Sequence, residues 1–294
     1  MTNNFISSVW EFDNDVETKY FVHEIFRWYG KLPQFLVRRL IELYSKENEH
    51  VLADFCGSGT VLIEANLAKR NCVGIDSHPI SLLINQVKID SFFPEDDKFL
   101  NMIRNKKFAD QIYFDFKDSG KWFYTKSLIH IQGILEEINK LKKERERNFY
   151  LLCLAKIIRD GSKIDSRCVN HIVVDNNKKE IDVIQSFSNS VVETREAIKE
   201  FSKRKTDRTM KVLEGDARKL DMFQDESFDL IISHPPYANA VLYYNIYSLV
   251  STILGFDYTE IKENDISSSN FVNYLEDMKK VILENYRMLK PQKY

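Results

Sequence analysis

Ser233-His234-Pro235-Pro236-Tyr237 closes an apolar stretch, Phe228-Asp229-Leu230-Ile231-Ile232. Consecutive prolines fix the backbone and remove two N–H donors, so the neighbouring carbonyls are not committed to a sheet ladder. A rigid turn with uncommitted acceptors beside a tyrosine suits a planar ring that carries an amino group. The carbonyls accept from the amino group and the tyrosine stacks on the ring. The competing reading is a surface turn with a packed tyrosine, and three other features bear on the choice.

The first is Asp54-Phe55-Cys56-Gly57-Ser58-Gly59-Thr60, between an apolar strand and a helix. Its glycines allow a tight turn and close approach of a ligand to the backbone. The following helix directs uncommitted N–H groups at whatever fills the crevice. Alone, this is equally a plain strand-to-helix turn. The second is Asp76, 22 residues after Asp54 and at the end of the next strand. Nucleotide-binding folds place an acid on ribose hydroxyls about 20 residues past the glycine turn. Asp76 also suits a helix start, with Ser77 and Pro79 following. The third is Asp216 in Glu214-Gly215-Asp216-Ala217, again at a strand end, which suits an acceptor for an adenine amino group or a solvated turn.

These residues need a frame. Pro33 and helical apolar spacing predict a helix over 33–45. Strands are predicted over 50–55 and 72–75, each followed by a helix, the second over about 79–88. Strands return over 211–217 and 228–237, with helices over about 241–253 and 270–289. Strand–helix alternation of this kind implies a doubly wound, mostly parallel α/β sheet. Ligands bind such sheets at the C-terminal ends of the strands. Between 91 and 205 the periodicity is helical, in amphipathic or apolar runs over 125–147, 148–160 and 180–205. The expected division is a core from 1–90 and 206–294 with a helical insertion over 91–205.

The DFCGSGT stretch, Asp76, GDA and HPPY together resemble the amino-group DNA methyltransferases, whose catalytic motif is Asp/Asn/Ser-Pro-Pro-Tyr/Phe. FRWYGKLPQFLVRRLIELYS resembles the segment preceding that family's glycine loop, with Lys31 and Pro33 at matching positions. YLEDMKKVILENYRMLKPQKY resembles its helix ending in Leu-Lys-Pro-Gly-Gly. The resemblance covers about 20–90 and 206–294. It implies a Rossmann-like methyltransferase fold and S-adenosylmethionine as methyl donor. The donor would lie on Lys31, Asp54, Phe55, Cys56, Gly57, Ser58, Gly59, Thr60, Asp76, Ser77, Asp216 and Ala217. Catalysis would fall to His234, Pro235, Pro236 and Tyr237, acting on a base flipped out of duplex DNA. The Pro235 carbonyl would hold the amino group and Tyr237 would stack on the base. Cytosine N4 is favoured over adenine N6 on the likeness of tail and glycine loop. Carbon-5 cytosine chemistry is disfavoured, because none of the four cysteines follows a proline.

Two departures stand out. His234 replaces Asp, Asn or Ser, and only a neutral imidazole can accept a hydrogen bond. The family's helix leads on to further strands, but this chain stops at Tyr294, which predicts missing C-terminal strands and an open sheet edge. A fragment, a partner chain or dimer covering that edge, and a non-catalytic cofactor-binding subunit all remain open. An RNA base amino methyltransferase is the other enzymatic reading. It is disfavoured because only about 20 residues precede the resemblance, too few for the RNA-binding domain such enzymes commonly carry.

Bulk properties fit these readings. Of 294 residues, 44% are apolar and 29% charged, with a net charge of −2, so DNA contact needs a local basic surface. The candidates are the run Lys199, Lys203, Arg204, Lys205 and Arg208, and the pair Lys163 and Arg167. The cysteines lack metal-ligand spacing and are expected as reduced thiols of a cytoplasmic protein. No signal peptide, metal site or membrane contact is expected.

Overall fold

The computed structural model describes residues 21–112, 116, 118–168, 172–238, 242–266 and 270–294. Val241, at the start of one expected helix, and 169–171 of the loop bearing Lys163 and Arg167 lie outside them.

The described residues form a four-stranded, wholly parallel sheet, in the order β3-β2-β1-β4. The strands are β1 (His50–Ala53), β2 (Asn71–Asp76), β3 (Met210–Glu214) and β4 (Leu230–Ile231). In β1, Val51 and Ala53 face one side of the sheet, packing with Val37 and Ile41 of α1 (Gln34–Tyr44) and with α2 (Thr60–Leu67). Leu52 faces the other side, with Ile75, Phe228 and Met288, the last residue of α12 (Phe271–Met288). This alternation buries both faces of the strand. The chain steps outward from β1 through β2 to β3, then crosses to the far side of β1 for β4. That reversal opens a crevice between the C-terminal ends of β1 and β4.

β2 runs one residue further at each end than the sequence predicts, while β1, β3 and β4 are shorter, the last two for local reasons. β4 yields at Ser233 because the two prolines beyond it cannot extend the ladder. β3 yields after Glu214 because Asp216 turns back to accept from the Arg218 backbone N–H (2.9 Å).

The segment 91–205 is helical, comprising α4 (Lys98–Asn105), α5 (Ser119–Trp122), α6 (Thr125–Asn139), α7 (Glu144–Gly161) and α8 (Val183–Arg204). The break between α6 and α7 falls at 140–143, earlier than the apolar pattern suggests. Glu144 and Glu146 therefore occupy the first turn of α7, where acids complement the helix dipole. These helices share one continuous core with α3 (Pro79–Asp90) and α10 (Ser248–Leu254). The helix expected over about 241–253 divides at Tyr247 into α9 (Tyr243–Ile246) and α10, and α11 (Tyr258–Asn264) follows.

Residues 289–294 run along the outer edge of β4. Leu289 bridges Phe228 in parallel, Lys290 N–H donates to the Phe228 carbonyl (3.0 Å), and Ile231 N–H donates to the Tyr294 carbonyl (2.9 Å). No strand beyond β4 follows among the described residues. The outer face of α12 exposes Val272, Leu275, Ile282, Leu283 and Tyr286. Among the described residues, no helix is long and apolar enough to cross a membrane.

Candidate functional site

The crevice at the β1/β4 switch is a pocket. Of the residues singled out from sequence, Lys31, Asp54, Phe55, Cys56, Gly57, Ser58, Thr60, Asp76, Ser77, Asp216, Ala217, His234 and Pro236 line it. Gly59, Pro235 and Tyr237 are not part of that lining. Gly59 lies behind it, at the start of α2, and Tyr237 is 58% exposed.

Asp54 ends β1 and is 1% exposed. Its Oδ2 accepts from Ser233 Oγ and from Asn285 Nδ2 of α12, both at 2.8 Å. Its Oδ1 is buried without a protein partner. Burial raises the carboxyl to about 6, against those two hydrogen bonds. A buried carboxylate oxygen with no donor is costly to the fold unless a ligand or water completes it.

The glycine turn is held tightly. Gly57 and Gly59 have φ of 48° and 80°, in the left-handed region. A Cβ on Gly57 would lie 2.8 Å from Trp28 Nε1, and one on Gly59 would lie 1.8 Å from Asn85 Oδ1. Gly57 N–H donates to Asp76 Oδ2 (2.8 Å), and His78 N–H donates to Asp76 Oδ1 (2.9 Å). Asp76 thus joins the end of β2 to the turn, whereas the N-cap of α3 is His78, whose Nδ1 accepts from Ile80 N–H (3.2 Å), so Asp76 is not the helix cap that its position suggested. Each oxygen keeps capacity for a further donor. Burial raises its pKa.

Asp216 is more committed than its position suggested. It accepts from Arg218 through Nε (2.9 Å) and Nη2 (2.7 Å), and Arg218 Nη1 continues to Asp277 of α12 (2.8 Å). Lys31 Nζ donates to Glu24 Oε1 (2.8 Å) and to the His23 carbonyl (3.1 Å). His234 Nε2 is 3.0 Å from Tyr237 Oη, with the two rings edge to face. Burial lowers the His234 pKa, which keeps the imidazole neutral near pH 7.

Several residues at the site were missed from sequence. Trp28 stacks on Tyr247 (4.7 Å between centroids, 12°) and on Tyr243 (5.6 Å, 23°). Trp28 and Tyr243 line the pocket, as does Asp265 just after α11. Trp28 lies in the segment already likened to a family, but nothing local marks its partners more than 200 residues away. Ser81, Asn85 and Lys88 lie beneath the turn. Their signal was a polar series at helical spacing in an apolar helix.

The last residues of the basic run do not belong to this end of the molecule, whereas Lys199 and Lys203 share a groove with Glu24 and Ile25. Lys205 Nζ bonds the Ile89 carbonyl, and Arg208 Nη1 bonds Asn48 Oδ1 (2.6 Å). Both contacts lie where the strands begin, opposite the pocket. Lys163 and Arg167 follow α7, whose Arg159 lies over the Tyr29 ring, next to pocket-lining Trp28 and Gly30. Lys163 lies over the Tyr124 ring, and Arg167 pairs with Asp165 (2.7 Å). No group of three or more potential metal ligands occurs among the described residues.

Comparison with known proteins gives concordant matches. Residues 2–85 match the N6/N4 methylase family model, described as DNA methylase. The chain is 25% identical over 276 residues to the Type II methyltransferase M.BsoBI of Geobacillus stearothermophilus, covering 82% of this chain and 54% of that protein. It is 31% identical over 75 residues to the Type II methyltransferase M.BglI of Bacillus subtilis, covering 26% of this chain and 22% of that protein. The chain therefore spans about half the length of the first relative, and a smaller share of the second.

Proposed function

We propose, on the premise that this chain belongs to the amino-group DNA methyltransferase family, that it transfers a methyl group from S-adenosylmethionine to an exocyclic amino group of a DNA base. Cytosine N4 is favoured over adenine N6, on the likeness of the tail and the glycine loop. The observation that carries the reading is convergence. Asp54, Gly57, Asp76, Asp216 and His234 come from four separate strand ends and meet at one pocket.

The residues present fit the donor. The Gly57 and Gly59 cradle admits no side chain, and the partnerless Asp54 Oδ1 lies at its side. Asp76 would accept from ribose hydroxyls, Asp216 would lie by the adenine, and Asp54 would face the cationic methionyl end. When bound, S-adenosylmethionine supplies an electrophilic sulfonium methyl. A base amino nitrogen is a poor nucleophile because its lone pair is delocalised into the ring. The Pro235 carbonyl and neutral His234 would accept its N–H groups and favour a pyramidal nitrogen. Tyr237, at the pocket rim, would stack on the flipped base. The rate enhancement on this reading comes from orientation and fixed dipoles, with no covalent enzyme intermediate. The edge of β4 expected to be open is occupied by residues 289–294, so a partner chain in the same proposal would sit on the apolar stripe of α12 instead. Lys163 and Arg167, on the pocket side, are the better-placed candidates for DNA phosphates.

The test is label transfer from radiolabelled S-adenosylmethionine to duplex DNA and, in parallel, to RNA. Label on DNA that digests to a methylated cytosine supports the reading. Label on RNA alone moves the RNA enzyme ahead. Donor binding without transfer moves the non-catalytic subunit ahead.

Asp54 gives this proposal a pH signature. Its folded pKa is raised, so its stability contribution is complete below the unfolded value near 3.8 and is lost as pH rises through about 6. Donor binding has the opposite sign, because only the carboxylate attracts a cation. Affinity for S-adenosylmethionine should fall as pH drops through about 6, and Asp54→Asn should bind weakly with that step removed. Calorimetric titration between about pH 5 and about pH 8 spans the change. An unchanged step in Asp54→Asn would assign it elsewhere.

A further inference from the structure

The underside of the glycine turn is built from one face of α3. Ser81, Asn85 and Lys88 stand at i, i+4 and i+7, and so share that face. All three are buried, with exposures of 0%, 1% and 1%. Ser81 Oγ donates to the Gly57 carbonyl at 2.6 Å and Asn85 Nδ2 donates to the same oxygen at 2.8 Å. Lys88 Nζ donates to the Ser58 carbonyl at 2.6 Å. None of the three lines the pocket, whereas Gly57 and Ser58 do.

The geometry has a direct consequence. A trans peptide sets its C=O and N–H on opposite sides. Anchoring the Gly57 carbonyl on α3 therefore turns the Ser58 N–H away from that helix. Asn85 also lies flush beneath Gly59, where a Cβ would meet its Oδ1. The turn is thus held by its carbonyls from below, and its other side is left to the pocket.

Lys88 is an expensive way to hold one carbonyl. Its ammonium is fully buried, and burial lowers its pKa to about 7. Lys31, across the turn, opposes its charge, and Glu24 and Cys56 favour it. His23 is also within electrostatic reach, itself hydrogen-bonded to Glu64 on α2 (2.8 Å). A group placed for fold stability alone would be apolar here, like its helix neighbours Ile84 and Val87.

We propose that Ser81, Asn85 and Lys88 are positioning residues for the donor loop, with Lys88 setting the loop's binding geometry rather than the stability of the fold. The inference rests on the donor-binding reading of the pocket. It goes beyond that reading by assigning a role to three residues that hold the loop from beneath without lining the pocket.

The experiment compares the full chain with Lys88→Met, which keeps length but removes the donors, and with Ser81→Ala. S-adenosylhomocysteine is the calorimetric probe, beside thermal melting and hydrogen exchange of peptides covering 54–60 and 271–288. Lys88→Met should weaken probe binding about tenfold or more, the loss expected for one charged hydrogen bond. Its melting temperature should be unchanged or higher, and exchange should rise over 54–60 only. Ser81→Ala should move binding the same way by less. Unchanged affinity in Lys88→Met overturns the inference. So does a lowered melting temperature with exchange raised throughout, which is the mark of a structural prop. Should the natural protein not bind the probe, the donor reading fails. The exchange comparison then decides the anchoring alone, and an unchanged rate over 54–60 overturns it.

Discussion

Replacing Tyr237 with alanine is expected to lower methyl transfer by about a hundredfold or more while leaving donor affinity and melting temperature where they were. Base stacking on an aromatic ring is worth about 1–3 kcal/mol, roughly ten- to a hundredfold. Misorientation of the amino group adds to that loss. The ring can be removed cleanly because it is 58% exposed and lies outside the pocket lining. Its one described polar contact, at 3.0 Å, is with His234. Tyr237→Phe keeps the stacking surface and should retain most of the rate. Single-turnover transfer to duplex DNA, with donor titration alongside, separates the two steps. A matching loss of donor affinity would move Tyr237 into the donor site and sink its assignment to the base.

Gly59→Ala should abolish measurable donor binding and lower the melting temperature. The left-handed conformation at φ 80° costs a non-glycine residue about 1–2 kcal/mol. The steric cost is larger, since the added Cβ would stand 1.8 Å from Asn85 Oδ1. Asn85 cannot retreat without releasing the Gly57 carbonyl, so the disturbance reaches the pocket wall. Gly255 is an internal control. It also has φ 80°, but an added Cβ there meets nothing within 4 Å. Gly255→Ala should therefore show the backbone cost alone and bind donor normally. Equal behaviour of the two variants would mean that the clash relaxes and that the turn is softer than its contacts suggest.

The parts of this site legible in the sequence were those that local chemistry dictates. Glycines at the strand-to-helix turn, an acid closing the next strand and a Pro-Pro turn after an apolar strand each follow from what a few adjacent residues can do. They also sufficed to place Asp54, Asp76, Asp216 and His234 at one end of a parallel sheet, because parallel strands deliver their C-terminal ends to one side. The misses were matters of distance or direction. The Trp28–Tyr243–Tyr247 stack joins residues more than 200 apart, and no spacing rule connects them. The basic run over 199–208 was legible as charge but not as location. Its last residues lead into β3 from below, so they lie at the end of the sheet remote from the pocket. Asp216 was placed correctly as a strand-end acid, while its pairing to Arg218 and onward to Asp277 needed the packing of α12. The ends of β3 and β4 were overestimated because the pattern continues past the point where the Asp216 turn and the prolines stop the ladder, while β2 was underestimated by one residue at each end.

The Asp54 joint bears on how the protein comes into being on the ribosome. One carboxylate oxygen gathers Ser233 and Asn285, 179 and 231 positions further along the chain. The glycine turn, β2 and α3 can assemble early from neighbouring segments, but the second donor to Asp54 must await α12. Chain growth through that interval, at about 5–20 residues per second, takes on the order of ten seconds or more. For that time the nascent chain holds the glycine turn beside an acid lacking both of its partners. A cleavage before residue 285 would then leave the pocket-lining Asp54 short of its Asn285 donor, so the hydrogen bonding of this acid is completed only when α12 is in place.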